Sequence, residues 1–445
     1  MNASSKEFKM EISQSLKTPK ITPDFVPMIR IIFWNSTGFF FFSFLIPYVT
    51  VQLLKASGLI LGFAFTMQTI GGLISSPLVG YLTDKYSKKK LVLIGSFGRA
   101  ACYISMYLGI IFSSLLIFIL GMFILGFFVG FFWTPLDTLI SEKSNKTNRS
   151  YAFGKRASMI GLGNLCGSVI AFSIFWLGNT FWPEDLFIVY SPLLLFALSN
   201  IFGGIIFSLK VNEELTYEKH VFNLFPDNVE SIIAVKKPIV NDVKSKTIKT
   251  LKKGFFLSFL ILIIAIMISS MNGSIAYPFY QVYLINNLKV TDPTMVMLIY
   301  FPSQVVALLF APKLGKISDK INPIIGISIV GSLGAFVTWL IINTNSGIVF
   351  GIILIADSTF AWTGNLILQN VLSRISKVHR GKIFGAAQWL SMLGSIAGPL
   401  IGGLVWDNVG PTAPFIISIF IELSIIPLYI IAIKLLKPYM AEKID

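Results

Sequence analysis

Five charged side chains lie inside long apolar stretches, where burying a charge is costly and usually serves a function. They are Arg99, Asp137, Arg156, Asp357 and Glu422. Asp357 lies near the middle of its apolar run, 347–373, and no basic residue lies at the same depth. Away from water an unpaired carboxylate favours its protonated form, so this group can bind and release protons. We therefore predict that Asp357 couples a transport reaction to protons; the alternative is a structural carboxyl satisfied by neighbouring hydroxyls or amides.

A polar stripe accompanies Asp357 along its helix. At 100° per residue, Ser358, Trp362, Asn365 and Gln369 fall with it inside an arc of about 140°. Trp362, Asn365 and Gln369 are therefore predicted to line a solute cavity. Polar and aromatic residues of other runs are assigned to the same cavity: Asn35, Trp133, Asn272, Tyr277, Gln281 and Gln304. Hydrogen bonding between helices is the alternative role for these side chains.

The chain contains an internal repeat. Pro77–Lys85 reads PLVGYLTDK and Pro312–Lys320 reads PKLGKISDK, which places Gly80 and Gly315 235 positions apart. A second pair, RSYAFG from Arg149 and RGKIFG from Arg380, is offset by 231 positions. Two nearly equal offsets indicate that the chain consists of two related halves.

Several kinds of chemistry are not supported by the sequence. Cys102 and Cys166 lie in apolar runs without disulfide or metal-site spacing, and His220 and His379 lie in polar segments without further ligands. The glycines at 161, 163 and 167 follow no strand, and no Walker motif occurs. We therefore expect no cofactor, no metal and no enzymatic activity.

The composition is that of a helical membrane protein. Hydrophobic residues make up 54% of the 445 residues, charged residues only 13%, and the mean hydropathy is +0.76. We expect an all-α integral membrane protein with twelve transmembrane helices in two six-helix bundles related by pseudo-two-fold symmetry. The predicted segments are a tail at 1–27, a bundle at 28–209, a linker at 210–253, a second bundle at 254–435 and a tail at 436–445.

The basic residues indicate the orientation. The chain carries 36 Lys and Arg against 21 Asp and Glu, and these basic residues concentrate in alternate short loops. Such loops stay in the cytosol. Both termini and the linker are therefore predicted to be cytosolic, in the cell membrane. Nucleic-acid binding is excluded because it would need one continuous basic face.

The repeat predicts a cytosolic gate. Asp84 follows the second apolar run, 59–82 (helix 2), where the start of the eleventh, 382–406 (helix 11), should also emerge. Asp319 similarly should meet the start of the fifth run, 151–178 (helix 5). A helix amino terminus attracts a carboxylate, and Gly80 and Gly315 would allow close approach. The other residues assigned to this gate are Lys85, Lys88, Glu142, Arg149, Lys320 and Arg380. The alternative is that the two aspartates are solvated loop acids.

These motifs resemble the major facilitator superfamily of secondary transporters. Gly80, Asp84, Lys85, Lys88 and Lys89 match its loop pattern, although Ser87 replaces a glycine. The family's acid followed by arginine after helices 4 and 10 is similar to Glu142 with Arg149, and to Arg380. The resemblance, over residues 28–435, implies two bundles rocking about a central site, with helix 10 lining the cavity and helix 12 peripheral.

We therefore predict a secondary active transporter of a small organic solute by alternating access, with protons as the candidate coupling ion. The aromatic residues of helices 1 and 4 favour an amphipathic or aromatic solute, and we expect a monomer in the lipid bilayer. Sugar/cation symporters of the glycoside-pentoside-hexuronide branch are an alternative because of Thr134, Pro135 and Glu142, but Gly72 and Ser76 stand where that branch has paired acids. A non-transporting receptor or scaffold is the alternative from another class.

Overall fold

The computed structural model describes residues 21–145, 149–224, 248–376 and 380–440. Within these ranges, side chains at 149–150, 222–224, 248–253 and 380–382 and several at 304–319 are not described. The described chain is helical, and its one strand-like pairing is an isolated bridge between Ile21 and Ser144.

Twelve long helices, numbered α1 to α12, run through the described ranges. In the first half these are α1 Phe25–Leu53, α2 Gly58–Lys85, α3 Lys88–Ile111, α4 Leu115–Glu142, α5 Arg149–Phe181 and α6 Pro192–Lys210. In the second half they are α7 Ile248–Asn286, α8 Pro293–Lys320, α9 Pro323–Asn343, α10 Gly347–Ile375, α11 Arg380–Asn408 and α12 Ala413–Leu436. Eleven contain a stretch apolar and long enough to cross a membrane, and α8 has side chains outside the described set.

Local capping explains where several helices begin. The side chain of Ser57 accepts a hydrogen bond at the start of α2, Ser87 does so at the start of α3 and Asp292 at the start of α8. Such acceptors satisfy amide groups that lack a partner in the first helical turn. The loops after α1 and α7 each contain a lysine with positive φ, Lys55 at 52° and Lys289 at 57°. These two positions are 234 residues apart, which lies between the two offsets of the sequence repeat, 231 and 235.

The two halves have the same packing arrangement. In the first half α3 packs on α4, α2 on α4, α3 on α6, and α1 on both α5 and α6. The second half repeats every one of these pairings with each helix number raised by six. The predicted twelve-helix, two-bundle architecture with pseudo-two-fold symmetry is therefore confirmed.

The bundles meet at one end of the molecule and separate at the other. At the end that carries Asp407, the Thr66 hydroxyl donates to the carbonyl of Ile396 at 2.9 Å, and the rings of Phe172 and Phe301 lie 5.1 Å apart. At the end that carries Asp84, a Cβ added to Gly80 would meet nothing within 4 Å. We call these the Asp407 end and the Asp84 end; the bundles are joined at the first, and the described residues show no hydrogen bond or ring contact joining them at the second.

The first helix of each bundle is interrupted. Helical segments Phe25–Ser36 and Phe39–Pro47 of α1 are separated at Thr37–Gly38, and α7 is interrupted between Ala276 and Phe279 at Tyr277–Pro278. Interrupted helices at corresponding positions of two repeats mark the binding region in many transporters, because they free backbone groups at membrane depth. The surroundings of the two interruptions, in α1 and α7, are therefore candidate binding regions.

The first part of the predicted linker packs against the first bundle. Lys143 is 1% exposed, and its Nζ lies 2.7 Å from Asp24 Oδ2, 2.6 Å from the carbonyl of Asn212 and 2.8 Å from that of Leu215. The backbone amide of Asn212 also donates to Asp24. This cluster ties together the chain before α1, the loop after α4 and the chain after α6. Residues 225–247 of the predicted linker lie outside the described residues.

Candidate functional site

A cavity of about 710 Å³ lies inside the second bundle. Its lining comes from all six helices α7 to α12 and contains two carboxyl groups, those of Asp357 on α10 and Glu422 on α12. Among the described residues, no Lys, Arg or His contributes to this lining. Seven aromatic side chains do: Tyr277, Tyr280, Tyr300, Phe360, Trp362, Phe384 and Tyr429. The cavity therefore combines negative charge with aromatic surface.

The carboxyl group of Asp357 is held by a tyrosine from the interrupted helix. The Tyr280 hydroxyl donates a hydrogen bond of 3.0 Å to Asp357 Oδ2. Tyr280 lies two residues beyond Pro278, which cannot donate a backbone hydrogen bond and so promotes the interruption of α7. The interruption thus precedes the tyrosine that positions the carboxylate.

Glu422 shares the cavity because a glycine leaves space for it. A Cβ added to Gly334 on α9 would lie 2.6 Å from Glu422 Oε1, closer than real Cβ atoms approach an oxygen. The carboxyl groups of Glu422 and Asp357 are near enough to repel each other electrostatically. When both are ionised they attract positive charge into a medium of low dielectric.

Five of the residues predicted for the cavity line it together with Asp357. They are Asn272, Tyr277, Trp362, Asn365 and Gln369. The Gln369 side-chain amide donates to Asn365 Oδ1 at 3.4 Å, while Asn272 Oδ1 is buried without a hydrogen-bond partner among the described residues. The polar stripe of α10 therefore faces the cavity.

The other predicted cavity residues lie elsewhere. The amide of Asn35 donates to the carbonyl of Ile31 and to Ser96 Oγ, inside the first bundle. Trp133 lies beneath the guanidinium of Arg156, and Gln281 is buried outside the lining. The side chain of Gln304 lies outside the described residues. A cavity lined by both halves stays a prediction.

The charged residues of the first bundle form two separate arrangements. Arg156 pairs with Asp137, with Nη2 3.0 Å from Oδ2 and Nε 2.6 Å from Oδ1. Arg99 is fully buried, and its Nη2 donates at 2.7 Å to the carbonyl of Asn35, next to the interruption of α1. Within the described chain Arg99 has no carboxylate partner, and its Nε and Nη1 make no hydrogen bond.

The predicted gate residues are only partly within the described set. Lys88 and Glu142 form an ion pair of 3.1 Å, and Lys85 Nζ lies 2.5 Å from the Tyr81 hydroxyl. Asp84 is exposed and makes no hydrogen bond or ion pair in the described part of the chain. Lys320 is exposed as well. The side chains of Arg149, Asp319 and Arg380 and the surroundings of Gly315 lie outside the described set, so the Asp84 and Asp319 latch stays a prediction.

Two features of the cavity were not assigned to it from the sequence. Glu422 was recognised as a buried charge, yet α12 was expected to be peripheral, and Tyr280 was not singled out. The signal for Tyr280 is its position just after Pro278 in an otherwise apolar helix. The signal for Glu422 is weaker, because a glycine on a different helix supplies its space.

Comparison with known proteins agrees with the geometry. The family model described as Major Facilitator Superfamily matches residues 30–376 and 262–444. The chain is 26% identical over 418 residues to a multi-drug resistance efflux pump PmrA homolog of Lactococcus lactis, covering 89% of this chain and 93% of the relative. It is also 26% identical over 376 residues to the multidrug resistance protein MdtG of Enterobacter lignolyticus, covering 81% of this chain and 79% of the relative.

Solved structures show the same fold. A D-xylose–proton symporter superposes with a TM-score of 0.68 at 16% identity, covering 93% of this chain and 96% of the symporter. A proton-dependent oligopeptide transporter superposes with a TM-score of 0.64 at 14% identity, covering 93% and 98%. Because the family model matches most of the chain, the function is membrane transport and not an enzymatic reaction. The chain belongs to the Major Facilitator Superfamily.

Proposed function

We propose that this transporter exports amphipathic organic cations in exchange for protons, and that Asp357 and Glu422 bind both. The observation that carries the proposal is the cavity lining, whose described residues include two carboxyl groups, seven aromatic side chains and no basic group. Aromatic faces attract organic cations, and carboxylates supply the opposite charge. A neutral sugar would need more hydrogen-bonding groups and would gain little from paired acids.

The organic cation and protons compete for the same carboxyl groups, and this competition couples cation export to proton entry. An organic cation binds well only when Asp357 and Glu422 are ionised, and protonation of these groups removes the attraction. Tyr280 donates to ionised Asp357 and can instead accept a hydrogen bond from the protonated acid, so it holds the group in both states. Proton entry on one side of the membrane would therefore expel the cation there.

The direction of transport rests on orientation. Lysine-rich loops, including Lys88, Lys89 and Lys90, lie at the Asp84 end, which assigns this end to the cytosol. Both termini are then cytosolic and the protein lies in the cell membrane. Because the molecule is open at that end, the present conformation would admit solutes from the cytosol. The names of the relatives that share 26% identity, which are an efflux pump and a multidrug resistance protein, support export.

Transport by Asp357→Asn in proteoliposomes tests the coupling. Tetraphenylphosphonium serves as the probe cation, and both gradient-driven accumulation and equilibrium exchange are measured. We expect gradient-driven accumulation to be lost because the neutral amide no longer exchanges a proton, while equilibrium exchange continues at higher probe concentrations because Glu422 still supplies one negative charge. Asp185→Asn changes a half-buried capping residue in the other bundle, away from the cavity, and is the control. Undiminished accumulation in Asp357→Asn would remove this residue from the mechanism.

The charge of the substrate is tested with two probes of the same shape. Tetraphenylphosphonium and tetraphenylborate differ chiefly in the sign of their charge. We expect the purified protein to bind the cation at least about tenfold more tightly, a difference of about 1.4 kcal/mol. The double variant Asp357→Asn/Glu422→Gln should lose this preference. Equal affinity of the parent protein for both probes would contradict the cation proposal.

A further inference from the structure

Asp407 connects the two bundles at their closed end. It lies in the last turn of α11, and its carboxylate reaches the start of α2 in the other bundle. Asp407 Oδ1 accepts a hydrogen bond of 2.8 Å from the amide of Gly58, and Oδ2 accepts one of 2.9 Å from the amide of Leu59. Both oxygens of one side chain are thus engaged across the interface between the bundles.

The contact is chemically favourable because of where it falls on α2. The first amides of a helix have no partner within the helix and carry partial positive charge. Ser57, the residue before α2, bonds the amide of Ile60 and leaves those of Gly58 and Leu59 free. Asp407 satisfies both, and a carboxylate makes stronger hydrogen bonds to amides than a neutral acceptor does.

The surroundings are shaped for this contact. A Cβ added to Gly58 would lie 2.7 Å from Cδ1 of Trp406 and 2.9 Å from Asp407 Oδ1, so a larger residue would push the two helices apart. The Trp406 ring stacks on that of Phe279 at 5.0 Å and 25°. Gln52 also donates to Asn286 Oδ1 at 2.9 Å between the bundles at the same end.

We infer that Asp407 and the amino terminus of α2 form a latch that holds the Asp407 end closed and that must break when this end opens. The two hydrogen bonds join bundles that move relative to each other in alternating access, so they stabilise only the conformation in which the bundles meet here. The assignment goes beyond the proposed function, because it depends on neither the substrate nor the coupling ion.

Distances between spin labels test the latch without any transport measurement. One pair of labels at Glu184 and Asn287, exposed residues of opposite bundles, reports on the Asp407 end. A second pair at Tyr86 and Ile321 reports on the Asp84 end. The exposed Cys166 is replaced by serine, and Cys102 is left because it is fully buried. Asp407→Ala should raise the ratio of molecules open at the Asp407 end to molecules closed there by about 2- to 5-fold.

Two further variants separate a latch from a general loss of structure. Gly58→Ala crowds the same contact and should shift the ratio in the same direction. Asp292→Ala removes a carboxylate that caps α8 within one bundle, so it should leave the ratio unchanged. Folding of each variant is checked by gel filtration and circular dichroism. Unchanged distances in both Asp407→Ala and Gly58→Ala, or an equal shift in Asp292→Ala, would overturn the latch.

Discussion

At the scale of single residues, the position of the Glu422 carboxyl depends on Gly334, which has no side chain. Gly334 leaves the space that the Glu422 carboxyl occupies, and the repulsion between Glu422 and Asp357 depends on that position. Because the carboxyl is the end of a flexible side chain, an added methyl group at position 334 would displace it and would not prevent folding. A small change on α9 should therefore alter the chemistry of a residue on α12.

Gly334→Ala is accordingly expected to reduce proton-driven accumulation of tetraphenylphosphonium several-fold while its thermal stability stays within about 1 kcal/mol of the parent. Gly364→Ala is the matched control, because Gly364 lines the same cavity and an added Cβ would meet only Val330, at an ordinary 3.5 Å. Accumulation is measured in proteoliposomes. If both variants transport equally, the position of the Glu422 carboxyl has no bearing on transport.

Lys143 is a second residue whose role follows from its partners. Its ammonium group is buried, and Asp24 supplies the compensating charge. Removing one partner of a buried ion pair leaves an uncompensated charge, which costs about 3 to 5 kcal/mol, whereas removing both costs far less. We expect Asp24→Ala to lower the unfolding temperature strongly and Asp24→Ala/Lys143→Met to recover most of the loss.

Thermal unfolding in detergent measures this difference. Glu213, whose carboxylate binds the start of α3 in the same region, offers a comparison because it has no buried cationic partner. Glu213→Ala should cost about 1 kcal/mol, as the loss of a helix cap usually does. A double variant less stable than Asp24→Ala alone would show that the charge of Lys143 is compensated by the backbone carbonyls and not by Asp24.

At the scale of elements, oppositely charged residues lie near the interruptions of α1 and α7. Arg99 donates to a carbonyl next to the α1 interruption, whereas Tyr280, just beyond the α7 interruption, holds Asp357. The free carbonyl that would remain without Arg99 costs about 1 to 3 kcal/mol. A buried cation without a carboxylate costs several kcal/mol. The rings of Phe39 and Phe132, 5.1 and 5.4 Å from the guanidinium carbon, offset part of this second cost. The remaining cost still exceeds the gain from one hydrogen bond, so we expect that Arg99 contributes little net stability.

Arg99→Met should therefore leave the free energy of unfolding unchanged or raise it, while transport falls if the charge serves the cycle. Denaturant unfolding and proteoliposome uptake are measured on the same preparation. Cys102→Ala, a fully buried substitution three residues along α3, controls for altered packing. A loss of more than about 3 kcal/mol of stability in Arg99→Met would show that the guanidinium is chiefly structural.

The sequence predicted the elements better than their contacts. Apolar runs and the repeat around Gly80 and Gly315 were sufficient for twelve helices in two bundles, because both depend on neighbouring residues along the chain. The polar stripe of α10 likewise indicated that Asp357 lies on the face of the helix that lines the cavity. Glu422 offered a weaker indication, because only Ser418 and Tyr429 share its face of an otherwise apolar α12. The partner of Asp407 depends on how two bundles meet, which one helix cannot reveal.

At the scale of the whole molecule, α2 and α11 form an antiparallel pair with a carboxylate near the end of each helix. Asp407 near the end of α11 meets the start of α2 in the present conformation, while Asp84 near the end of α2 is exposed. If Asp84 binds the start of α11 when the Asp84 end closes, the two contacts alternate. Each carboxylate then stabilises a different conformation of the same helix pair.

This alternation predicts that the two substitutions oppose each other. Asp84→Asn removes a contact made only when the Asp84 end is closed, so it should shift the population toward the present conformation by about 0.3 to 1 kcal/mol. Asp407→Ala should shift it the other way, and the double variant should return close to the parent because the two sites lie at opposite ends and their effects add. Distances between labels at Tyr86 and Ile321 give the populations. A double variant that shifts as far as either single variant would mean that the two carboxylates do not act on one equilibrium.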